Sequence, residues 1–546
     1  MVQRLTALAA ATALLLFACN DQRSADQQMA ASDVNTLYRT ESDPASTPRP
    51  SDLHKIKSEQ EQQIRNRTGD SVAALNTEDY DPIIENTFLS AVDDPLSTFS
   101  IDVDRAAYSN VRRFLTNGML PPPGAVRIEE MINYFDYDYP QPSNGDPFCI
   151  NTEIAPCPWN PRHQLIHIGL QGKTIPLENL PPSNLVFLID VSGTMDEPNK
   201  LPLVQASLKL LTRQLRPQDK VAIVVYAGSA GLVLPSINGD HKAKINEAIN
   251  ELEAGGSTAG GAGIELAYKI ATENFISGGN NRMILATDGD FNVGPSSDDE
   301  LIELIEKKRK SGIFLSVLGY GMGNYKDNKM QQLADKGNGN HAYIDNISEA
   351  RKVLVSEFGG TLFTIAKDVK IQIEFNPEKV QAYRLVGYEN RMLAAADFND
   401  DKKDAGELGS GHRVTALYEI IPVGAKDSFV RSVDPLKYQT GKRIATGSGE
   451  VMTIKLRYKI PDEETSRLTM KIVPDENKTV ASTSDNFRFA AAVAEFGLLL
   501  RNSSYIQEGN YEQVIDVAKS ARGTDQNGYR AEFISLVESA VSLAKK

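Results

Sequence analysis

Apolar residues recur along this chain in two rhythms. Between about residues 183 and 352, short unbroken apolar runs alternate with stretches in which apolar residues repeat every three to four positions. The runs Leu185–Asp190, Lys220–Tyr226, Leu232–Pro235, Met283–Thr287, Phe314–Gly319 and Ala342–Ile344 predict buried strands. The stretches Leu201–Leu215, Lys242–Leu252, Gly261–Asn274, Asp299–Ser311 and Asn328–Lys336 predict the helices between them. Such βα alternation predicts an α/β unit with a doubly wound, mostly parallel sheet. On both sides of it the rhythm shortens to strict alternation of apolar and polar residues, in Phe148–Ala155 and Gln164–Gln171 upstream. Downstream it recurs in Val369–Phe375, Val380–Tyr388, Val414–Pro422, Val451–Ile460 and Arg467–Ile472. Alternation predicts an antiparallel β-sandwich. The upstream flank has too few strands to hide its own edges. Residues 148–171 are therefore expected to pair with residues 369–472, leaving 183–352 as an insert whose termini lie together.

The remaining pattern fixes the ends. Ser97–Asp104 predicts a strand, and Arg105–Asn117 and Val126–Tyr134 predict helices separated by a proline run at 121–123. After the sandwich, Asn486–Leu500 is apolar on most faces, and Tyr511–Ala521 and Tyr529–Ala544 are amphipathic; all three are expected to pack on the sandwich. Residues 20–83 are polar and proline-punctuated, a flexible tether with a short helix near Ile56–Arg67. The expected organisation is a signal segment at 1–19, the tether at 20–83, and an N-terminal segment with the first sandwich strands at 84–182. The α/β unit at 183–352, the rest of the sandwich at 353–480 and a helical region at 481–546 complete it. The rim of the insert where its strands end is expected at the end remote from its termini, with the sandwich and helices as a stalk.

Charge and the N-terminus narrow the function. The 546 residues carry a net charge of −14 with dispersed lysines and arginines, which excludes a nucleic-acid surface. Arg4 and the apolar run Leu5–Phe17 read as an export signal, too short to span a bilayer. Leu16-Phe-Ala-Cys19 is similar to the lipobox of bacterial lipoproteins, which implies lipid on Cys19 and a lipid-anchored protein of a Gram-negative cell envelope. Asn20 is not the aspartate of inner-membrane retention, so the outer membrane is favoured. The alternative is an ordinary secretory signal with an incidental Cys19. Export leaves Cys149 and Cys157 either as a disulfide, if a hairpin or bulge brings them together, or as two buried thiols.

Three segments offer hard oxygen ligands. The run Asn184–Asp190 ends in a carboxylate, and Ser192 and Thr194 follow at alternate positions. Oxygen donors converging on one turn suit Mg²⁺ or Mn²⁺; the bland alternative is a turn in which Ser192 or Thr194 caps a helix. Further on, Gly255-Gly-Ser-Thr258 lies between two helices, and Arg282–Thr287 is a second buried strand followed by Asp288. This order resembles the von Willebrand factor type A domain with its metal-ion-dependent adhesion site. The resemblance implies Asp190, Ser192, Thr194, Thr258 and Asp288 as the metal ligands, with Thr194 standing for the commoner serine. Such an ion accepts a further carboxylate from a partner, so the site is built to bind rather than to cleave.

Other constellations are weaker. His163 and His167 fall on a strand, where their spacing separates them by roughly 13 Å. Asp102 and Asp104 read as a helix cap or solvated turn, and the acidic loop 397–411 lacks the glycine and the acid that a Ca²⁺ loop needs. Ser192 and Ser257 have no nucleophile-elbow surroundings, so a hydrolase is the least favoured reading and no enzyme activity is expected.

From residue 84 to the end, the chain is similar to a family of bacterial von Willebrand factor type A lipoproteins. The matching pieces are Pro95–Tyr108, Ala155–Pro161, Thr415–Ile420 and Asp525–Phe533. The resemblance implies a protein that holds an unknown partner through an acidic residue of that partner. An envelope-assembly scaffold that does not use the metal is the alternative.

Overall fold

A computed structural model describes residues 78–545 apart from 144, 257–259, 290–297, 358–362, 404, 431–446, 462 and 477. Cys19, the helix expected near Ile56–Arg67 and Thr258 lie outside the described residues.

The unbroken apolar runs form one six-stranded sheet. Its order is His341–Ile344, Ile313–Tyr320, Asn280–Thr287, Ser183–Asp190, Lys220–Tyr226 and Ala230–Asn238. Neighbours are parallel except for the last pair. Every residue of the two central strands Ser183–Asp190 and Asn280–Thr287 is buried, as strands covered on both faces require. Helices Leu201–Gln214 and Lys242–Asn250 cover one face; Gly260–Glu273, Asp298–Lys310 and Asp327–Lys336 cover the other. Because the strands run the same way, their C-terminal ends share one rim, and Asp190 and Asp288 meet there.

The flanking strands form two antiparallel sheets. Asn160–Gly172, before the insert, pairs with Arg413–Pro422, after it, with Leu170 opposite Val414. Leu96–Ser100 pairs with Thr364–Phe375 in the second sheet. The sandwich is thus completed only by chain from both sides of the insert, as the pattern predicts. Ile166, Ile168 and Leu170 face its core, where Phe375 stacks on Tyr383 with ring centroids 4.0 Å apart. Leu165 faces the other way, into a core made with helices Asp485–Leu500, Tyr511–Ser520 and Tyr529–Ala544. Among the described residues no helix is long and apolar enough to cross a membrane.

The structure decides several readings that the sequence left open and corrects others. Cys149 and Cys157 do not pair: both lie on the single strand Phe148–Cys157, which keeps them apart. His163 sits between Glu419 (2.6 Å) and Asp427 (3.1 Å), and His167 meets the Tyr139 hydroxyl at 2.9 Å, so both are partnered core residues. Asp104 caps no helix. Its Oδ1 accepts from the His341 backbone N–H at 2.7 Å, while Arg391 holds both Asp102 and Asp104. The first free N–H groups of helix Ala106–Thr116 are served from elsewhere, with Ala107 donating to Glu130 at 2.9 Å. The acidic loop is no open loop either. It contains the turn Ala395–Asn399 and the strand Gly406–Gly409, and Asp401 accepts from the Ser466 hydroxyl. The stalk picture also changes. Helix Ala106–Thr116 packs along the edge strand His341–Ile344, and Glu78 accepts from the Gly323 N–H at 2.8 Å beyond the C-terminal end of the neighbouring strand. The base therefore climbs beside the insert to the level of its rim.

Glu495 lies in the helical core with no surface exposure. One carboxylate oxygen accepts from the Asn510 N–H at 3.2 Å, and the other has no partner among the described residues. Burial pushes its carboxyl up to about 8 from an ordinary 4.5. The folded state thus keeps a proton that the unfolded chain releases, so this group lowers stability as pH rises from 4.5 to 8. Glu495→Gln keeps the acceptor and removes the charge. Thermal unfolding should show equal stability of the two proteins near pH 4.5 and a variant more stable by on the order of 4 kcal/mol above pH 8. Parallel pH profiles would show that the carboxyl is not strained by burial.

Candidate functional site

Asp190 ends the strand Ser183–Asp190, and the chain then turns through Val191 and Ser192 into the short turn Gly193–Asp196. Asp190 is wholly buried and held from two sides. Its Oδ1 accepts from the Ser192 N–H at 2.9 Å, and its Oδ2 accepts from the hydroxyls of Tyr226 (3.0 Å) and Thr287 (3.3 Å). Burial pushes its carboxyl up to about 6; the Ser192 hydrogen bonds oppose the rise, and the negative charge of Asp288 adds to it.

Asp288 follows the neighbouring strand. Lys200 and Asn324 both donate to its Oδ2 at 3.0 Å, and the Thr194 hydroxyl is a further partner. Burial alone would raise this carboxyl, but the Asn324 hydrogen bond and the Lys200 charge outweigh it and hold the group below the usual carboxylate range. The two site carboxylates are therefore tuned in opposite directions. The hydroxyls of Ser192 and Thr194 lie 3.1 Å apart, with Thr194 exposed at the rim. Ser192 does not cap a helix with its side chain.

The third ligand segment is anchored to the same turn. The Gly255 N–H donates to the Val191 carbonyl at 2.7 Å, and the Gly193 N–H donates to the Gly256 carbonyl at 3.1 Å. Gly256 takes a positive φ of 86°. Thr258, two residues on, lies outside the described residues. Of the five residues read from the sequence, Asp190, Ser192, Thr194 and Asp288 are thus brought to one place.

The donor set is oxygen-only, with two carboxylates, two hydroxyls and no sulfur or imidazole, which fits a hard divalent ion. Among the described residues no group of three or more His, Cys, Asp and Glu side chains is placed to hold a metal, so any ion here depends on the hydroxyls. Sequence reading missed Lys200, Tyr226, Thr287 and Asn324. Thr287 adjoins Asp288, and Tyr226 ends the adjacent strand opposite Asp190, so strand register points to both. Lys200 and Asn324 reach the site from loops and carry no such signal.

Family models match three stretches of the chain. Residues 184–356 match the von Willebrand factor type A domain, residues 74–167 a von Willebrand factor model, and residues 360–543 the C-terminal region of the uncharacterized protein YfbK. The chain is similar to uncharacterized protein YfbK of Escherichia coli (strain K12), 47% identical over 479 residues, covering 86% of this chain and 82% of that protein. It is also similar to inter alpha-trypsin inhibitor, heavy chain 4, of Mus musculus, 27% identical over 182 residues, 31% of this chain and 19% of that one. Among solved structures, the von Willebrand factor type A protein from Catenulispora acidiphila is 15% identical with a TM-score of 0.39, over 71% of this chain and 90% of that one.

Gly289 sets the position of Asp288. Its φ is +97°, and a Cβ there would meet the Lys326 nitrogen at 2.7 Å and the Tyr325 Cα at 2.8 Å. Both neighbours are backbone and cannot yield cheaply. Gly289→Ala should lower stability by about 1–3 kcal/mol, read as a drop in thermal midpoint. An unchanged midpoint would show that the loop tolerates displacement.

Proposed function

The chain belongs to the von Willebrand factor type A proteins that share the YfbK C-terminal region, and from that premise we propose that it is a cell-envelope lipoprotein that binds a protein partner through a divalent ion. Proteins with this domain often mediate protein interactions. The ion, Mg²⁺ or Mn²⁺, is assigned to Asp190, Ser192, Thr194, Thr258 and Asp288, and the partner supplies an acidic side chain as a further ligand. One observation carries this reading: two strands that are neighbours in a parallel sheet end in buried carboxylates, beside a pair of hydroxyls 3.1 Å apart. That arrangement concentrates negative charge and oxygen lone pairs where packing alone has no use for them. No catalytic role is assigned to these residues.

A specific contact favours a second reading, an envelope-assembly scaffold that does not use a metal. The Lys200 ammonium already neutralises Asp288. Titration calorimetry with MgCl₂ separates the two. The native protein should bind the ion, and Asp190→Ala should lose that binding in a protein that is still folded but melts earlier, because three buried donors lose their acceptor. Equal, measurable Mg²⁺ affinity in both proteins would remove the metal assignment.

Cys19 is the proposed lipid attachment, and burying an acyl chain contributes about 0.8 kcal/mol per CH₂. Cys19→Ser should move the protein from the membrane fraction to the soluble envelope fraction. A variant that still sediments with membranes would show that something other than lipid on Cys19 holds it there.

A further inference from the structure

Lys200 is 4% exposed and stands where the turn after Asp190 enters helix Leu201–Gln214. Its ammonium donates to Asp288 Oδ2 at 3.0 Å and lies 3.5 Å from Asn324 Oδ1, while Asn324 Nδ2 donates to the same Asp288 oxygen at 3.0 Å. The stem is fixed as well as the head. Gly321, with φ +75°, lies flat over it, so that a Cβ would fall 2.5 Å from Lys200 Cε and 2.7 Å from its Cγ. The Gly321 carbonyl is in turn held by the Tyr343 hydroxyl. A lysine is a flexible point charge that loses much freedom when buried. This fold nonetheless holds one in a single position against one of the two carboxylates at the rim.

The charge count gives that placement a consequence. Two carboxylates and one ammonium leave the site with one net negative charge. A divalent ion turns this into one net positive charge, whereas without Lys200 the same ion would leave the site neutral. The lysine therefore opposes the ion in the free protein and favours an anion once the ion is present. Resting on the metal reading above, we propose that Lys200 is a built-in competitor of the divalent ion at Asp288, and that it makes ion binding and partner-carboxylate binding mutually dependent. Linkage makes the effect reciprocal: whatever the carboxylate gains from the ion, the ion gains from the carboxylate. The partner class is thereby narrowed to one that presents an unpaired acidic side chain.

The test uses the purified full chain, titrated with MgCl₂ in the absence and presence of excess sodium acetate as the carboxylate probe. Lys200→Met retains most of the stem and removes the charge; Lys200→Gln serves as a second variant, and thermal unfolding checks that each is folded. Removing the cation should tighten Mg²⁺ binding without acetate by roughly tenfold or more. In the native protein acetate should strengthen Mg²⁺ binding, and in the folded variants this enhancement should fall away. A native protein that binds no Mg²⁺ alongside a variant that does would support the competitor role in its strongest form. Folded variants with unchanged or weaker Mg²⁺ affinity, while Asp190→Ala still abolishes binding, would overturn the role of Lys200 and leave the metal reading standing. Absence of Mg²⁺ binding in the native protein and both variants would overturn the metal reading itself.

Discussion

Buried Arg112 and Arg127 and the partly buried Arg391 carry positive charge between the inserted sheet and its base. Arg127 pairs with Asp327 of the insert and with Glu130 beside it in the chain. Arg112 reaches Asp345 at 2.5 Å and Glu349 at 2.7 Å, both just after the edge strand of the insert, and Glu532 of the last helix at 2.9 Å. Arg391, from the sandwich, binds Asp102, Asp104 and Asp335. A guanidinium cannot shed its proton at any ordinary pH, so each buried one must keep its carboxylates. Removing Arg112 or Arg127 costs several kcal/mol, because Glu349 or Asp327 then stays buried and uncompensated. An insert joined to its host only by two chain crossings would be free to swing. These pairs, together with the packing of helix Ala106–Thr116 on strand His341–Ile344, fix it instead.

The same frame decides what lies beside the rim. Glu78 pairs with Arg113 and accepts from the Gly323 N–H, both at 2.8 Å. The Asp79 backbone pairs with that of Lys326, its N–H donating to the Tyr325 carbonyl at 3.2 Å, and Asp81 accepts from Asn328 at 3.2 Å. Between those contacts lies Asn324, which holds Asp288. The loop 321–328 is thus gripped from one side by the N-terminal segment and from the other by the site. The position of Asn324, and with it part of the Asp288 environment, depends on residues far from it in sequence.

That dependence explains what the sequence shows and what it hides. The central strands are legible because burial on both faces demands unbroken apolar runs. Asp190 and Asp288 are legible because each is a polar residue that ends such a run. The insertion is legible because Phe148–Cys157 and Asn160–Gly172 cannot form a sandwich without later strands. Periodicity carries no information about contacts made by loops and by long polar side chains. Asp104 looks like a helix cap on local grounds, yet its partners, His341 and Arg391, lie more than two hundred residues away. Lys200 looks like an ordinary residue before a helix, and only the fold brings it to Asp288. The cysteines illustrate the opposite case: the strand pattern already separates them, and both thiols are free on one strand.

The two site carboxylates then acquire distinct characters from their surroundings. Asp190 is wrapped by neutral donors alone, a backbone N–H and two hydroxyls, and burial raises its carboxyl. Asp288 has a cation and an amide on one oxygen, and its carboxyl is lowered. Neutral donors orient a carboxylate without cancelling its charge, so Asp190 keeps its attraction for an external cation. Asp288 shares its charge with Lys200, so an external cation must displace or outweigh that contact. A rim with one uncompensated and one internally compensated carboxylate attracts a cation less strongly than two uncompensated carboxylates would. On the proposed reading a third carboxylate arriving from outside would strengthen the hold, because it would meet both the ion and the lysine. The proposed metal centre would then be tighter at an interface than within one molecule.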